Sequence, residues 1–191
     1  MSEAIETDGR RLRADESRRR IALAMLDLAR AGEISPSAEQ VAEQAGVGRR
    51  TVFRLFNDMD GVYREMHAVM VERITPVFVA PFQATTWRAK VDELIERRAR
   101  MFEEMRPIRT AGDAHRHRSA FLQSEHKRLT KLQRDTLVGL LPASMRGDDE
   151  RIEALDLALS FESWRRLRQE QRLPVKQAIA VWRRLARALL D

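Results

Sequence analysis

The stretch that decides the fold is 37-SAEQVAEQAGVGRRTVFRLF-56. Ser37 follows Pro36 and precedes Gln40 by three residues, the spacing of a capping box in which hydroxyl and amide side chains satisfy each other's backbone N–H groups. A short helix therefore opens here, with Val41 and Ala42 on its buried side. Ala45-Gly46-Val47-Gly48 is a tight turn of small residues. A further helix is expected from Arg49 to Phe56, burying Val52, Phe53 and Phe56. Two short helices joined by a glycine-containing turn, the second opening on basic residues, make the helix-turn-helix pattern. Val41, Ala42, Val47 and Val52 lock the pair, and the start of the second helix stays free to enter a DNA major groove.

The residue types at that start suit the task. An arginine there can bond two acceptors on a guanine edge, worth ~1–3 kcal/mol of discrimination. Arg49 and Arg50 also oppose the helix dipole, which favours a functional reason for their presence. Thr51 and the capped start at Ser37 offer hydroxyl and amide groups to phosphates, and Arg54 lies one turn on.

Working outward, Ile21, Ala24, Met25 and Leu28 recur at steps of three or four and predict a helix over 17–31, stopped by Gly32. Residues 1–16 are charged and without apolar periodicity, and are expected to form a mobile arm. Downstream, Asn57-Asp58-Met59-Asp60 starts a long helix through Val62, Met66, Val69, Met70 and Ile74 to Pro76. Beyond Pro81 one face carries Trp87, Val91, Leu94, Ile95, Phe102 and Met105, in a helix that Pro107 is expected to stop. Residues 107–119 read as irregular or a short helix. Leu122 to Leu140 gives another helix, ended by Pro142, and 148–171 one more. Leu173-Pro174 starts the last, with Val175, Ala178, Ile179, Trp182, Leu185, Ala186 and Leu189 along one stripe.

Composition agrees with an all-α chain. Apolar residues are 43% and charged residues 34%, with only 8 Gly and 6 Pro among 191 residues, too few turn formers for a many-stranded sheet. The absence of cysteine excludes disulfides and thiolate metal sites. No apolar run approaches the ~20 residues of a membrane span, and no signal peptide is visible, so a cytoplasmic protein without membrane attachment is expected. The net charge of +6 is informative only where it clusters. Residues 10–20 hold six Arg against Asp15 and Glu16, and residues 165–187 hold seven Arg and one Lys against Glu170. A solvated helix face accounts for the second cluster.

Residues 18–63 resemble the N-terminal domain of the tetracycline-repressor family of transcriptional regulators. The likeness rests on the helix that ends in glycine, on AEQAGV at 42–47, on RRTVFRLF at 49–56 and on the helix start directly after it. The resemblance implies three DNA-binding helices over 17–60, a linking helix over about 60–76, and a helical domain within 61–191. That domain would bind a small-molecule effector and dimerise through its last two long helices. Carried onto this chain, the DNA-binding positions are Ser37, Gly48, Arg49, Arg50, Thr51, Phe53 and Arg54, with Arg18 from the basic N-terminal cluster. The partners implied are a double-stranded, palindromic operator, an effector and a second copy of the chain, with no cofactor. Repression is the family's usual mode. Gly48 stands where the family usually has Ser or Thr, Phe53 where it favours Tyr, Leu55 where it favours His and Met59 where it favours Lys. Each change removes a phosphate-reaching group, so the Arg10–Arg20 cluster is expected to carry more of the affinity.

An effector cavity would be apolar with a few polar groups. Trp87, Arg98, Met101, Phe102, Met105, Phe121 and Trp164 are the candidates, Arg98 lying on the apolar stripe and expected to snorkel to water. The segment from Asp148 carries two apolar rows, and with the last helix it suggests a dimer face of Leu157, Phe161, Trp164, Ile179, Trp182, Leu185 and Leu189. His115, His117 and His126 do not share a helix face, so no metal site is expected. Paired carboxylates, a nucleophile with its base, and phosphate-binding glycine loops are all lacking, so no enzyme is expected. The competing reading is a basic helical interaction module without sequence-specific DNA binding.

Overall fold

The computed structural model describes residues 2–56 and 58–191, and side chains from residue 11 onward apart from position 57; Met1, the Arg10 side chain and Asn57 of the expected helix start lie outside them. The fold is all-α, with no strand among the described residues. In chain order the helices are α1 (Ser2–Arg30), α2 (Ala38–Gln44), α3 (Arg49–Leu55), α4 (Met59–Val79), α5 (Trp87–His115), α6 (Ala120–Leu140), α7 (Asp149–Ala158), α8 (Phe161–Arg165) and α9 (Val175–Leu190).

The chain divides into two compact units. One comprises residues 1–75 with 107–124, the other 76–106 with 125–191. Pro76 and Pro107 each sit inside a helix, in α4 and α5, at the points where the chain passes from one unit to the other.

In the first unit, Ile21, Ala22, Met25 and Leu26 of α1 are buried, as are Val41, Ala42 and Ala45 of α2 and its C-cap and Val52 and Leu55 of α3. Two glycines end helices where the sequence predicts. Gly32 has φ +95° and Gly46 φ +62°, left-handed values that cost a glycine nothing. Each closes the same pair of bonds: Gly32 N–H donates to Ala29 O and Glu33 N–H to Leu28 O, Gly46 N–H to Glu43 O and Val47 N–H to Ala42 O. This Schellman closure satisfies carbonyls that the helix end leaves over and turns the chain sharply between α2 and α3. Asp58 then caps α4, its Oδ1 accepting from Gly61 N–H at 2.9 Å. A Cβ at Gly61 would stand 3.0 Å from the Phe56 ring, a tight contact to which the ring would have to yield.

Four segments differ from expectation. Residues 2–16 are helical and continue α1 instead of forming an arm; Glu, Arg, Ala and Leu are strong helix formers, and helix needs no apolar stripe where the neighbouring turns already supply the bonds. Pro107 does not stop α5, which runs on to His115 with a short 3-10 turn at Arg116–Arg118. Proline deletes one helical bond but leaves the following ones available. The segment 148–171 is not one helix. Ser160 is extended, φ −77° and ψ 164°, and caps α8 by accepting from Ser163 N–H, while Ser163 Oγ donates back to Ala158 O at 2.6 Å. Such hydroxyl-to-backbone bonds compete with the helical ladder. A π-type turn over Arg166–Glu170 follows α8.

The fourth difference lies in the second unit's core. Arg98 does not snorkel. It is 1% exposed, Nη1 donating to Leu159 O at 3.0 Å and Nη2 to Gln133 O, with Asp156 at 4.0 Å. Burial pulls the Arg98 pKa down to about 10 against the opposing pull of Asp156, and burial pushes the Asp156 carboxyl up. Around it the aromatic rings interlock. Phe102 meets Phe161 and Trp182 edge-on at 5.4 and 5.9 Å, and Trp164 lies 4.6 Å from Trp182.

Candidate nucleic-acid interface

α3 has a buried side and a free side. Val52 and Leu55 face the core, with Phe56 just beyond the last turn. At 100° per residue the opposite arc carries Arg49, Phe53, Arg50 and Arg54 in that order around the helix, and all four are exposed, with Thr51 half-buried at its edge. Four of the expected DNA-binding residues thus share one outward face. Phe53 corrects the reading of it as core: it is 54% exposed. Leu55 is the reverse case. Its place in the core, 9% exposed, explains an apolar side chain where the resemblance leads one to expect histidine.

Gly48 is the N-cap of α3, in extended conformation with no side-chain cap. A Cβ at Gly48 would find open space apart from the Thr51 hydroxyl at 3.9 Å. Neither steric closeness nor a left-handed φ therefore demands glycine there. Ser37 forms both bonds of its capping box, its Oγ accepting from Gln40 N–H at 3.2 Å and its own N–H donating to Gln40 Oε1 at 2.8 Å. The Ser37 amide is thereby used internally, and the hydroxyl proton is what the residue has left to donate. Arg18 is exposed on α1, as are Arg11, Arg13, Arg19 and Arg20, and Arg19 pairs with Glu72 of α4 at 2.9 Å.

One residue of this surface escaped the sequence reading. Glu39, in the first turn of α2, holds Arg49 Nη1 at 2.5 Å, with both side chains more than half exposed. The Arg49 guanidinium also lies over the Phe53 ring, 5.5 Å from its centroid. The ten-residue separation of Glu39 and Arg49 carries no periodic signal; only the path of the turn at Gly46 brings them together.

No family model matches the chain, and no curated protein matches it. Its structure is similar to the crystal structure of a transcriptional regulator from Rhodococcus sp. Rha1, with a TM-score of 0.71 and 15% identity over 91% of this chain and 95% of that one. The two chains share one fold.

The other candidate residues are distributed as follows. Arg98, Met101, Phe102 and Met105 lie on one buried side of α5, and Trp164 is fully buried in the same unit. Trp87 is half-buried at the start of α5, with the Arg88 guanidinium 4.5 Å from its ring centroid. Phe121 belongs to the first unit, against His67 at 5.6 Å and under the Arg64 guanidinium at 4.8 Å. Six of the seven effector candidates thus belong to the second unit and Phe121 to the first. Polar tips in the aromatic core are matched: Trp164 Nε1 donates to Glu103 Oε1, and Arg168 donates to both Glu103 oxygens. Burial pushes the Glu103 carboxyl up, but hydrogen bonds from Arg168 and Trp164 and the charges of Arg106 and Arg168 outweigh it and hold the group below the usual range.

Phe161, Trp164 and Trp182 correct the expected dimer face. They are at most 2% exposed within a single chain and so belong to its own core. Leu157, 70% exposed, and Leu185, 43% exposed, remain on the surface, with Ile179 and Leu189 half-buried. A surface concavity of about 490 Å3 on α9 is lined by Ala180, Val181, Arg183, Arg184 and Arg187. His115 stacks on Tyr63 at 5.9 Å and approaches Ile34 O at 3.2 Å. Among the described residues no cluster of His, Asp or Glu is placed to hold a metal ion, and no helix is long and apolar enough to cross a membrane.

Proposed function

We propose that this protein is a DNA-binding transcriptional regulator, a cytoplasmic repressor and not an enzyme, which a small-molecule effector releases from its operator. The observation that carries this reading is the free face of α3: three arginines and an aromatic ring, turned outward on a short helix whose other side is fixed by Val52 and Leu55. Arginines clustered at a helix start gain nothing from the helix dipole, and their side chains suit guanine edges and phosphates. The shared fold with a solved transcriptional regulator supports it. Two copies binding a palindromic site would set two such helices in successive major grooves, about one helical turn apart. Leu157 and Leu185 are the surface apolar groups best placed to meet a second copy. The unit around Arg98 and Phe102 is the place for the effector.

Selection of bound sequences from random duplex DNA tests the reading. A symmetric consensus is expected, with binding that weakens steeply with salt. Salt-dependent binding with no preferred sequence would replace it with the basic interaction module. Arg49→Ala with Arg50→Ala is expected to lose the sequence preference while keeping the fold, as judged by circular dichroism.

A further inference from the structure

Charge explains three of the four residues on the free face of α3 but not Phe53. A single exposed phenyl is unremarkable on a protein surface. This one is different because of its neighbours. The Arg49 guanidinium lies over its ring, and the same guanidinium is held by Glu39 of the adjoining helix. Two helices thus fix one arginine between a carboxylate and an aromatic face. Arginine's planar fork has five donors, and the Glu39 contact engages one end of it. A side chain already held in place loses less freedom on binding than a loose one.

We propose that Glu39, Arg49 and Phe53 form one reading unit for a two-base step: Arg49 takes a guanine, Phe53 covers the C5-methyl of the pyrimidine beside it, and Glu39 is a positioning residue. This rests on the DNA-binding reading above. Guanine follows because its N7 and O6 are the paired acceptors that match an arginine fork, and the methyl group because it is the apolar feature of the major groove. Thymine and 5-methylcytosine both present that methyl. Glu39 adds discrimination of another kind. Its carboxylate repels phosphates, so it weakens contacts in which Arg49 meets backbone alone and is offset only where Arg49 finds its base.

The test uses the full chain and the duplex that selection returns. Each thymine of a half-site is replaced in turn by 2′-deoxyuridine, which removes the methyl and nothing else, and affinity is read by fluorescence anisotropy. One position per half-site is expected to weaken the wild type about three- to fivefold, the scale for uncovering one methyl group, and to leave Phe53→Ala unaffected. Phe53 is exposed, so this variant keeps its melting temperature. 5-Methylcytosine at that position separates the two sources, affinity being kept if either methyl serves and lost if thymine is required. Glu39→Ala is expected to reduce preference for the neighbouring guanine about tenfold, with Glu39→Asp restoring part of it. A consensus without any thymine whose replacement separates wild type from Phe53→Ala overturns the proposal and leaves DNA binding standing. So does a Glu39→Ala protein that binds all sequences more tightly with its base preference intact. Selection that returns no consensus overturns both.

Discussion

Trp182→Phe distinguishes a core tryptophan from one at a subunit face. Trp182 is fully buried, and its Nε1 donates to Ser163 Oγ at 3.0 Å. Phenylalanine keeps a ring against Trp164 and Phe102 but removes about three heavy atoms, worth about 2 kcal/mol at ~0.8 kcal/mol per methylene-sized group. The lost hydrogen bond adds about 1 kcal/mol. The Ser163 hydroxyl keeps its bond to Ala158 O, so no buried donor is orphaned. The sum is about 3 kcal/mol, which for a chain of this size lowers the thermal midpoint by roughly 6–12 °C. Circular dichroism melting measures the midpoint, and sedimentation velocity under native conditions measures the oligomeric state, which is expected to be that of the wild type. An unchanged midpoint accompanied by halved mass would show that Trp182 works between chains and would refute its placement in the core.

Other perturbations follow from the same contacts. Arg98→Met leaves the Gln133 and Leu159 carbonyls without their donor and Asp156 without its cation, and is expected to cost about 3–5 kcal/mol; a wild-type denaturation midpoint would contradict this. Gly46→Ala meets no steric neighbour but puts a Cβ on a backbone at φ +62°, so its cost is about 1–2 kcal/mol of backbone strain, seen as a lower melting temperature. Gly48→Ser has open space and extended backbone; it is expected to add a few tenths of a kcal/mol through capping and to tighten DNA binding with a steeper salt dependence, read in a salt titration. Glu103 has a lowered pKa, so its contribution to stability is full above the unfolded glutamate value of about 4.3 and is lost as pH falls through the lower folded value. Glu103→Gln should flatten the acid limb of the stability curve below about pH 4.3, and an acid limb as steep as the wild type's would show that the carboxylate is not what titrates.

The helix-turn-helix was legible because its signals are local: Ser37 with Gln40, Gly46 after Ala45, Val41, Ala42 and Val52 on one side. Gly32 and Pro174 likewise marked their helix ends. What escaped the sequence depends on partners distant in the chain. Arg98 looked like a residue seeking water because its acceptors, the Gln133 and Leu159 carbonyls, lie 35 and 61 residues away. Phe53 looked like core because periodicity counts apolar residues without knowing that Val52 and Leu55 already fill the buried side of so short a helix. Trp164 and Trp182 carried the apolar spacing of an interface helix, and spacing cannot say whether the surface opposite belongs to the same chain. Pro107 marked a real discontinuity, the passage between compact units, without ending the helix.

The interruption at Leu159 and Ser160 sets local helix preference against the hydrogen bonding of the core. Alanine is ordinarily the better helix former, so replacing Ser160 and Ser163 with alanine would help an isolated peptide of this segment. Within the protein the Ser163 hydroxyl accepts the Trp182 indole N–H at 3.0 Å, and alanine there would leave that buried donor without its partner. Any scheme that hardens this chain by raising helical propensity should therefore leave the two serines alone: here the weaker helix makes the stabler protein.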